Sequence, residues 1–538
     1  MLDRIREMER RGDAQYQKGW ARAWHVVRID YAIVFNLLFL AIILSLVYLF
    51  ASHGNRFPFD DSYVTLQFAR NLLQFGRFTF DGGASSYGLT SPLHVLLIYV
   101  VSLTGLRPAW SSLLLGTALL GLAGIYTYYW SKQVLGSRRT AALAGLLLVT
   151  SGWMVFDAAS GLETLLFIFL LMLALMLFEQ ESIWFGLPLA LLAVTRSDAW
   201  FFIAGLVVYS AVRDLATWNL RRLTRAGIGF AVAAVVIAPL LIAFRNTGNS
   251  LLPARELSQA YFLGDVGASF SEKLRLIAHG LRLYYFELVM PLPFLAALGL
   301  LFARRFWSRW YVFVSSGLLY AAYLLVAPGG ITHFWAGTQH LFLPFLMLAV
   351  AEGSIEMVRL AGLGMAPGRK RVLIVALVAL LAANQVISLI QRRATYVRAL
   401  DATDASVSGL AEFRPERPRF EEGASPQKPL VATTMPGLAA WLSNCRVLDL
   451  TARVNPDAMR LYRAPLTRQM VPLARRGVYG YLRVVNPDLL LIRDEDKRPL
   501  NFDPDRVPEE YRLQNRGKPV APYGTHGYLL YRSLRSGS

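Results

Sequence analysis

Two adjacent carboxylates, Asp60 and Asp61, closely follow the first long apolar run of the chain. They lie in Phe59-Asp60-Asp61-Ser62-Tyr63-Val64-Thr65-Leu66-Gln67-Phe68-Ala69-Arg70-Asn71, with Ser86-Tyr87-Gly88-Leu89-Thr90-Ser91-Pro92-Leu93 downstream. A carboxylate held beside a nucleophile can take its proton. An Asp at a helix start can also satisfy free backbone N–H groups, and a pair leaves room for one of each. A divalent metal needs several oxygen ligands. This loop offers only Asp60, Asp61 and Asp81, so no metal is assigned. His53, His94 and His279 show no ligand spacing, and Gly82-Gly83 is a turn that no phosphate-loop pattern follows.

The chain has 538 residues, of which 55% are hydrophobic, 12% aromatic and 17% charged. Its mean hydropathy is +0.40, and soluble domains carry about 25% charge, so this is a polytopic membrane protein. The net charge of +19 does not make it a nucleic-acid binder, because many basic residues stand between apolar runs and no basic-aromatic module is present. The single cysteine, Cys445, excludes an internal disulfide framework and any CxxC site. The opening Asp3-Arg4-Ile5-Arg6-Glu7 is too polar for a cleaved signal peptide, so the first apolar run is expected to be a retained anchor.

Runs suited to about 30 Å of hydrocarbon fall near 31–51, 109–130, 141–157, 163–178, 183–198, 199–213, 226–245, 281–303, 310–327, 341–358 and 372–391, or about 11 transmembrane helices. Placing the basic tail 1–30 in the cytoplasm also puts Lys132, Arg138 and Arg139 there, then Arg221, Arg222 and Arg225, then Arg304, Arg305 and Arg309, then Arg369, Lys370 and Arg371. This is the positive-inside arrangement. It requires 91–105 to lie in the interface without crossing. Residues 61–75 alternate apolar and polar side chains at helical spacing, as in a surface-lying amphipathic helix. The reading gives a transmembrane domain over 31–391 and an extracytoplasmic C-terminal domain over 392–538. Within the latter, 412–422 is a linker, and 429–432, 447–450 and 488–492 are strands of a small α/β domain.

This topology gathers the polar motifs on the outer face: Asp60 and Asp61, Ser160-Gly161-Leu162-Glu163, Thr195-Arg196-Ser197-Asp198, Arg245-Asn246, Leu252-Pro253-Ala254-Arg255-Glu256, His333-Phe334-Trp335 and Gln339-His340. Ionisable groups at membrane depth usually face protein or a water-filled cavity. For Glu163, Arg196 and Asp198, flanked by apolar runs, a polar cavity is the better reading. For Arg245, His333 and Gln339 the plainer reading, a loop residue or a snorkelling cap, is the better one.

At these residues the chain resembles the GT-C superfamily of polytopic glycosyltransferases. The Asp-Asp-x-Tyr pattern with Ala-Arg-Asn, then Tyr-Gly-x-Thr-Ser-Pro-Leu, is most similar to the bacterial branch containing mycobacterial cell-wall arabinofuranosyltransferases. The likeness extends over most of 30–350 and takes in the Ser160–Thr164 segment, Leu252-Pro253 and Leu343-Pro344. It departs at Thr195-Arg196-Ser197-Asp198, where relatives usually read Thr-Arg-Pro-Glu. Gln259 stands where a lysine is expected, and His340 where an arginine often precedes the late Pro.

The resemblance implies an enzyme of the bacterial inner membrane. It would move a sugar, arabinofuranose in the mycobacterial relatives, from a polyprenyl-phosphate donor to a glycan, lipid or protein acceptor, with inversion. It implies Asp60 as base and Asp61 as its neighbour that orients the site or caps the helix. Tyr63, Arg70, Glu163 and Asp198 are implied as substrate-binding residues, and Arg196, Arg255, His333 and His340 as partners of the phosphate. No cofactor is implied. The alternatives are a lipid-linked sugar flippase or transporter, whose charges belong near the midplane, and a non-catalytic scaffold, which leaves Glu163 and Arg196 unexplained.

Overall fold

A computed structural model describes residues 30–46, 56–80, 91–196, 198–248, 269–275, 278, 292–302, 307–326, 339–408, 429–443, 445–450, 487–493, 511–517 and 528–533. The basic tail before Asp30 and the linker 412–422 lie outside them.

Among the described residues the apolar runs form helix, because backbone N–H and C=O groups in hydrocarbon must be satisfied within the segment. The first helix, α1 (Asp30–Leu46), shows what its outer face meets. Phe35, Phe39, Ile42 and Leu46 form an exposed stripe at helical spacing, while Leu37 and Ala41 are buried opposite. Such a stripe is the lipid-facing side of a bundle helix.

The loop helices α2 (Asp60–Phe75) and α3 (Pro92–Ser102) precede the long α4 (Pro108–Leu135), which the left-handed Gly136 ends. α5 (Arg138–Thr150) and α6 (Gly152–Ser160) meet at a bend of 51°. α7 (Thr164–Glu179) packs along α4, and a 3-10 turn leads into α8 (Gly186–Thr195). α9 (Ala199–Ala216), α10 (Leu220–Gly248), α11 (Leu292–Phe302), α12 (Tyr311–Val326), α13 (Leu343–Ala361) and α14 (Pro367–Ser408) follow. Among the described residues, five helices are long and apolar enough to span, or six counting the bent α5–α6 pair, and the other runs form shorter apolar helices.

One end of the bundle is tied by ion pairs. Lys132 Nζ meets Asp30 at 2.7 Å, both η and ε nitrogens of Arg309 reach Glu179 at 2.8 Å, and Arg222 and Arg225 engage Glu181. Lys132, Arg222, Arg225 and Arg309, which the sequence placed on one side, thus each meet an acidic partner.

The 11-residue α3 is too short to cross about 30 Å at 1.5 Å per residue. α2 differs from the surface-lying helix expected. Ser62–Ala69 are buried, because protein covers the polar face. Gln67 donates to the Phe80 carbonyl at 3.0 Å, and Asn71 donates to the Thr79 and Phe80 carbonyls at 3.0 and 2.8 Å. The same alternation serves a lipid interface or a polar protein contact.

α14 continues without a break past residue 391. Beyond it lies a five-stranded sheet of β1 (Leu430–Thr433), β2 (Arg446–Asp449), β3 (Leu489–Arg493), β4 (Tyr511–Gly517) and β5 (Tyr528–Ser533), ordered β2-β1-β3-β5-β4. β1 is parallel to both neighbours, pairing Val431 with Val447 and with Leu489, while β5 runs antiparallel to β3 and β4. Leu489–Ile492 are buried in succession, as befits a strand covered on both faces. A short helix, α15 (Pro436–Leu442), links β1 to β2.

Candidate functional site

The site is built around the turn between α6 and α7. Gly161 makes that turn with φ +78, and a Cβ there would stand 2.7 Å from the Phe57 ring and 3.2 Å from Ser62 Cβ. Glycine therefore allows both the left-handed backbone and the close seating of the first loop. Ser62 Oγ donates to the Ser160 carbonyl at 2.6 Å, and Phe59 packs on Phe156. These contacts hold the Asp60-Asp61 helix start against the turn that carries Glu163. Tyr63 is a buried fixture of the same joint, its hydroxyl accepting the Phe57 N–H at 2.9 Å.

α7 and α8 are antiparallel, so the end of α8 returns to the start of α7. Arg196, extended at φ −155, follows α8, and Asp198 precedes α9. Arg196 Nε and Nη2 both donate to Asp198 Oδ2, at 3.0 and 2.6 Å, and Nη1 reaches Glu163 Oε1 at 3.4 Å. Both carboxylate residues are 5% exposed. One guanidinium thus bridges the two carboxylate side chains.

His94, on α3, is 1% exposed and lies beside this group. Burial pushes its pKa down, while the Glu163 charge and the Gly161 backbone pull the other way. Desolvation disfavours the charged ring, so the imidazole is neutral. Nothing in its spacing had marked it.

A second cluster lies on the other side of the same turn. His340 precedes α13, and its Nδ1 is 2.7 Å from Asp157 Oδ2 on α6, the geometry of an N–H donating to a carboxylate. Trp153 packs against the His340 ring at 4.6 Å, and Arg392, 2% exposed, stacks over Trp153 with its guanidinium carbon 3.6 Å from the ring centroid. Tyr396 donates to the Ala159 carbonyl at 3.0 Å. The sequence reading missed Asp157 and Arg392. Arg392-Arg393 closes an apolar run and resembles a snorkelling pair, yet Arg393 is exposed and Arg392 is buried.

Arg70 sits three turns along α2 from Asp60. Burial pushes its guanidinium down to about 10, so it remains charged at neutral pH. It bonds Gln67, stacks 4.8 Å from the Trp441 ring and donates to the Ala440 carbonyl at 3.4 Å. Asp60 Oδ1 accepts the Leu438 backbone N–H at 2.7 Å. Arg255, His333 and Asp81 lie outside the described residues.

A multi-pass helical bundle with a structured first loop and a small α/β domain has the architecture of the GT-C membrane glycosyltransferases. ArnT from Cupriavidus metallidurans, solved bound to undecaprenyl phosphate, shares this fold at a TM-score of 0.52 and 13% identity, over 91% of this chain and 97% of that one. The oligosaccharyltransferase of Archaeoglobus fulgidus in its apo form gives 0.55 at 12% identity, over 91% and 74%. The archaeal oligosaccharyltransferase AglB from Archaeoglobus fulgidus, in complex with an inhibitory peptide and a dolichol-phosphate, gives 0.51 at 13%, again over 91% and 74%. No family model and no curated protein matches the chain by sequence.

Proposed function

We propose that this protein is a glycosyltransferase that moves a sugar, arabinofuranose by its motif resemblance, from a polyprenyl phosphate to an acceptor hydroxyl at the outer membrane face. The observation that carries the reading is the Ser62–Ser160 contact, which holds two loop carboxylates against the turn bearing Glu163. Undecaprenyl phosphate bound to ArnT and dolichol-phosphate bound to AglB support the donor class. The basic loops at the opposite end support a cytoplasmic orientation for that end in a bacterial inner membrane.

In this reading Asp60 takes the acceptor's proton as the new O–C1 bond forms. The C1–O bond to phosphate breaks on the opposite side, which inverts the anomeric carbon and releases polyprenyl phosphate. A base contributes about 10²–10⁴-fold, and Asp61 orients the loop. Glu163 and Asp198 receive sugar hydroxyls. A phosphate within about 4 Å of one carboxylate would meet a repulsion on the order of 4 kcal/mol at an effective dielectric of about 20. The leaving phosphate is therefore assigned to the candidates Arg255, His333, His340 and Arg392. A transporter is disfavoured because the described charged clusters sit at the bundle's ends.

The test is transfer by the purified protein from decaprenyl-phosphate arabinose and from hexose-bearing polyprenyl phosphates, with Asp60→Asn as control. Transfer from the pentose donor, lost in the control, supports the reading. No transfer from any such donor sinks it.

A further inference from the structure

We propose that the outer domain completes the catalytic loop, with Gly437 and Leu438 as positioning residues for the Asp60 carboxylate; this rests on the reading of Asp60 as base. Asp60 and Leu438 are 378 positions apart, yet the Leu438 N–H donates to Asp60 Oδ1 at 2.7 Å. The approach is close enough to demand glycine next door. A Cβ at Gly437 would stand 2.3 Å from the Asp60 carbonyl oxygen and 2.5 Å from the Val64 nitrogen. Any other residue there must push the two helices apart.

The contact has a second point of attachment. Arg70 lies about 15 Å further along α2 at 1.5 Å per residue, where it stacks on Trp441 and bonds the Ala440 carbonyl. Tyr63 faces the same indole, with ring centroids 6.5 Å apart. Two attachments fix both the place and the direction of α2. On the other side, the turn into α15 is rigid. Thr433 Oγ1 accepts the Met435 N–H at 2.8 Å, and β1 is hydrogen-bonded between β2 and β3. The carboxylate is thus referenced to the sheet of the outer domain as well as to the membrane bundle. None of the residues of Pro436–Leu442 is ionisable, so the segment can act on Asp60 only through its backbone donor and its shape. An acceptor held by the outer domain would arrive already registered to the base.

The test uses the full-length protein in detergent or nanodiscs. Amide hydrogen exchange over 435–442 should be about tenfold faster in Asp60→Ala, while β1 is unchanged, because a lost hydrogen bond of about 1.4 kcal/mol is a tenfold change. Unchanged exchange overturns the proposal. Gly437→Ala should lower kcat by about 10²-fold, the cost of roughly 1 Å of misplacement, with the donor KM nearly unchanged. In an Asp60→Asn background Gly437→Ala should cost nothing more. Losses that multiply would mean that Gly437 acts elsewhere in the fold, and the proposal fails. Faster exchange with normal turnover in Gly437→Ala also overturns it and leaves the proposed function standing. Wild-type turnover in Asp60→Asn instead sinks Asp60 as base, and the positioning role with it.

Discussion

Arg392, on α14, lies over Trp153, with its guanidinium carbon 3.6 Å from the ring centroid. A cation on an aromatic face is worth about 2 kcal/mol or more when desolvated, and this one is 2% exposed. Arg392→Met and Trp153→Leu should each lower stability by at least about 2 kcal/mol. The double variant should lose less than the sum, because the two residues share one contact. Thermal unfolding in detergent checks this, and additive losses would show that they do not act together.

Asp198→Asn removes the negative charge of the side chain whose Oδ2 accepts twice from Arg196. If the Glu163–Arg196–Asp198 cluster receives sugar hydroxyls, the donor KM should rise about tenfold or more, since hydrogen bonds to charged groups are worth about 1.5–3 kcal/mol. Inhibition by free polyprenyl phosphate should stay within about twofold. Markedly tighter inhibition would mean that the phosphate approaches Arg196 and had been repelled by Asp198.

His94 has its pKa lowered by burial. In the unfolded chain it takes up a proton as pH falls through about 6.5, whereas the folded protein resists protonation to lower pH. The unfolded state then binds more protons, so stability falls with pH below about 6.5. His94→Gln should flatten that acid loss, as read by melting temperature between about pH 7 and pH 5. An equally steep loss in the variant would place the sensitive group elsewhere.

Sidedness is tested by cysteine labelling after Cys445, whose thiol burial pushes up, is replaced by Ser. Leu106→Cys, before α4, should react with an impermeant reagent in intact cells. Arg139→Cys, after α4, should be protected until the membrane is opened. The reverse pattern would place the candidate site in the cytoplasm.

Apolar runs were legible as helices because a spanning segment must satisfy its own backbone, and that demand is local. The clustering of Glu163, Arg196 and Asp198 was legible too, for charged residues between apolar runs have few affordable places to go. The strands near 430, 447 and 489 also show in the sequence as short apolar runs. The roles of individual groups did not. Arg392 and Arg393 are identical in type and adjacent, and only the packing of α14 against α6 buries one and exposes the other. His94 looked ordinary until α3 was set beside the Gly161 turn. Asp60 acquires the Leu438 N–H from a helix hundreds of residues away, through a backbone donor that every residue but proline carries and that no side-chain pattern can announce.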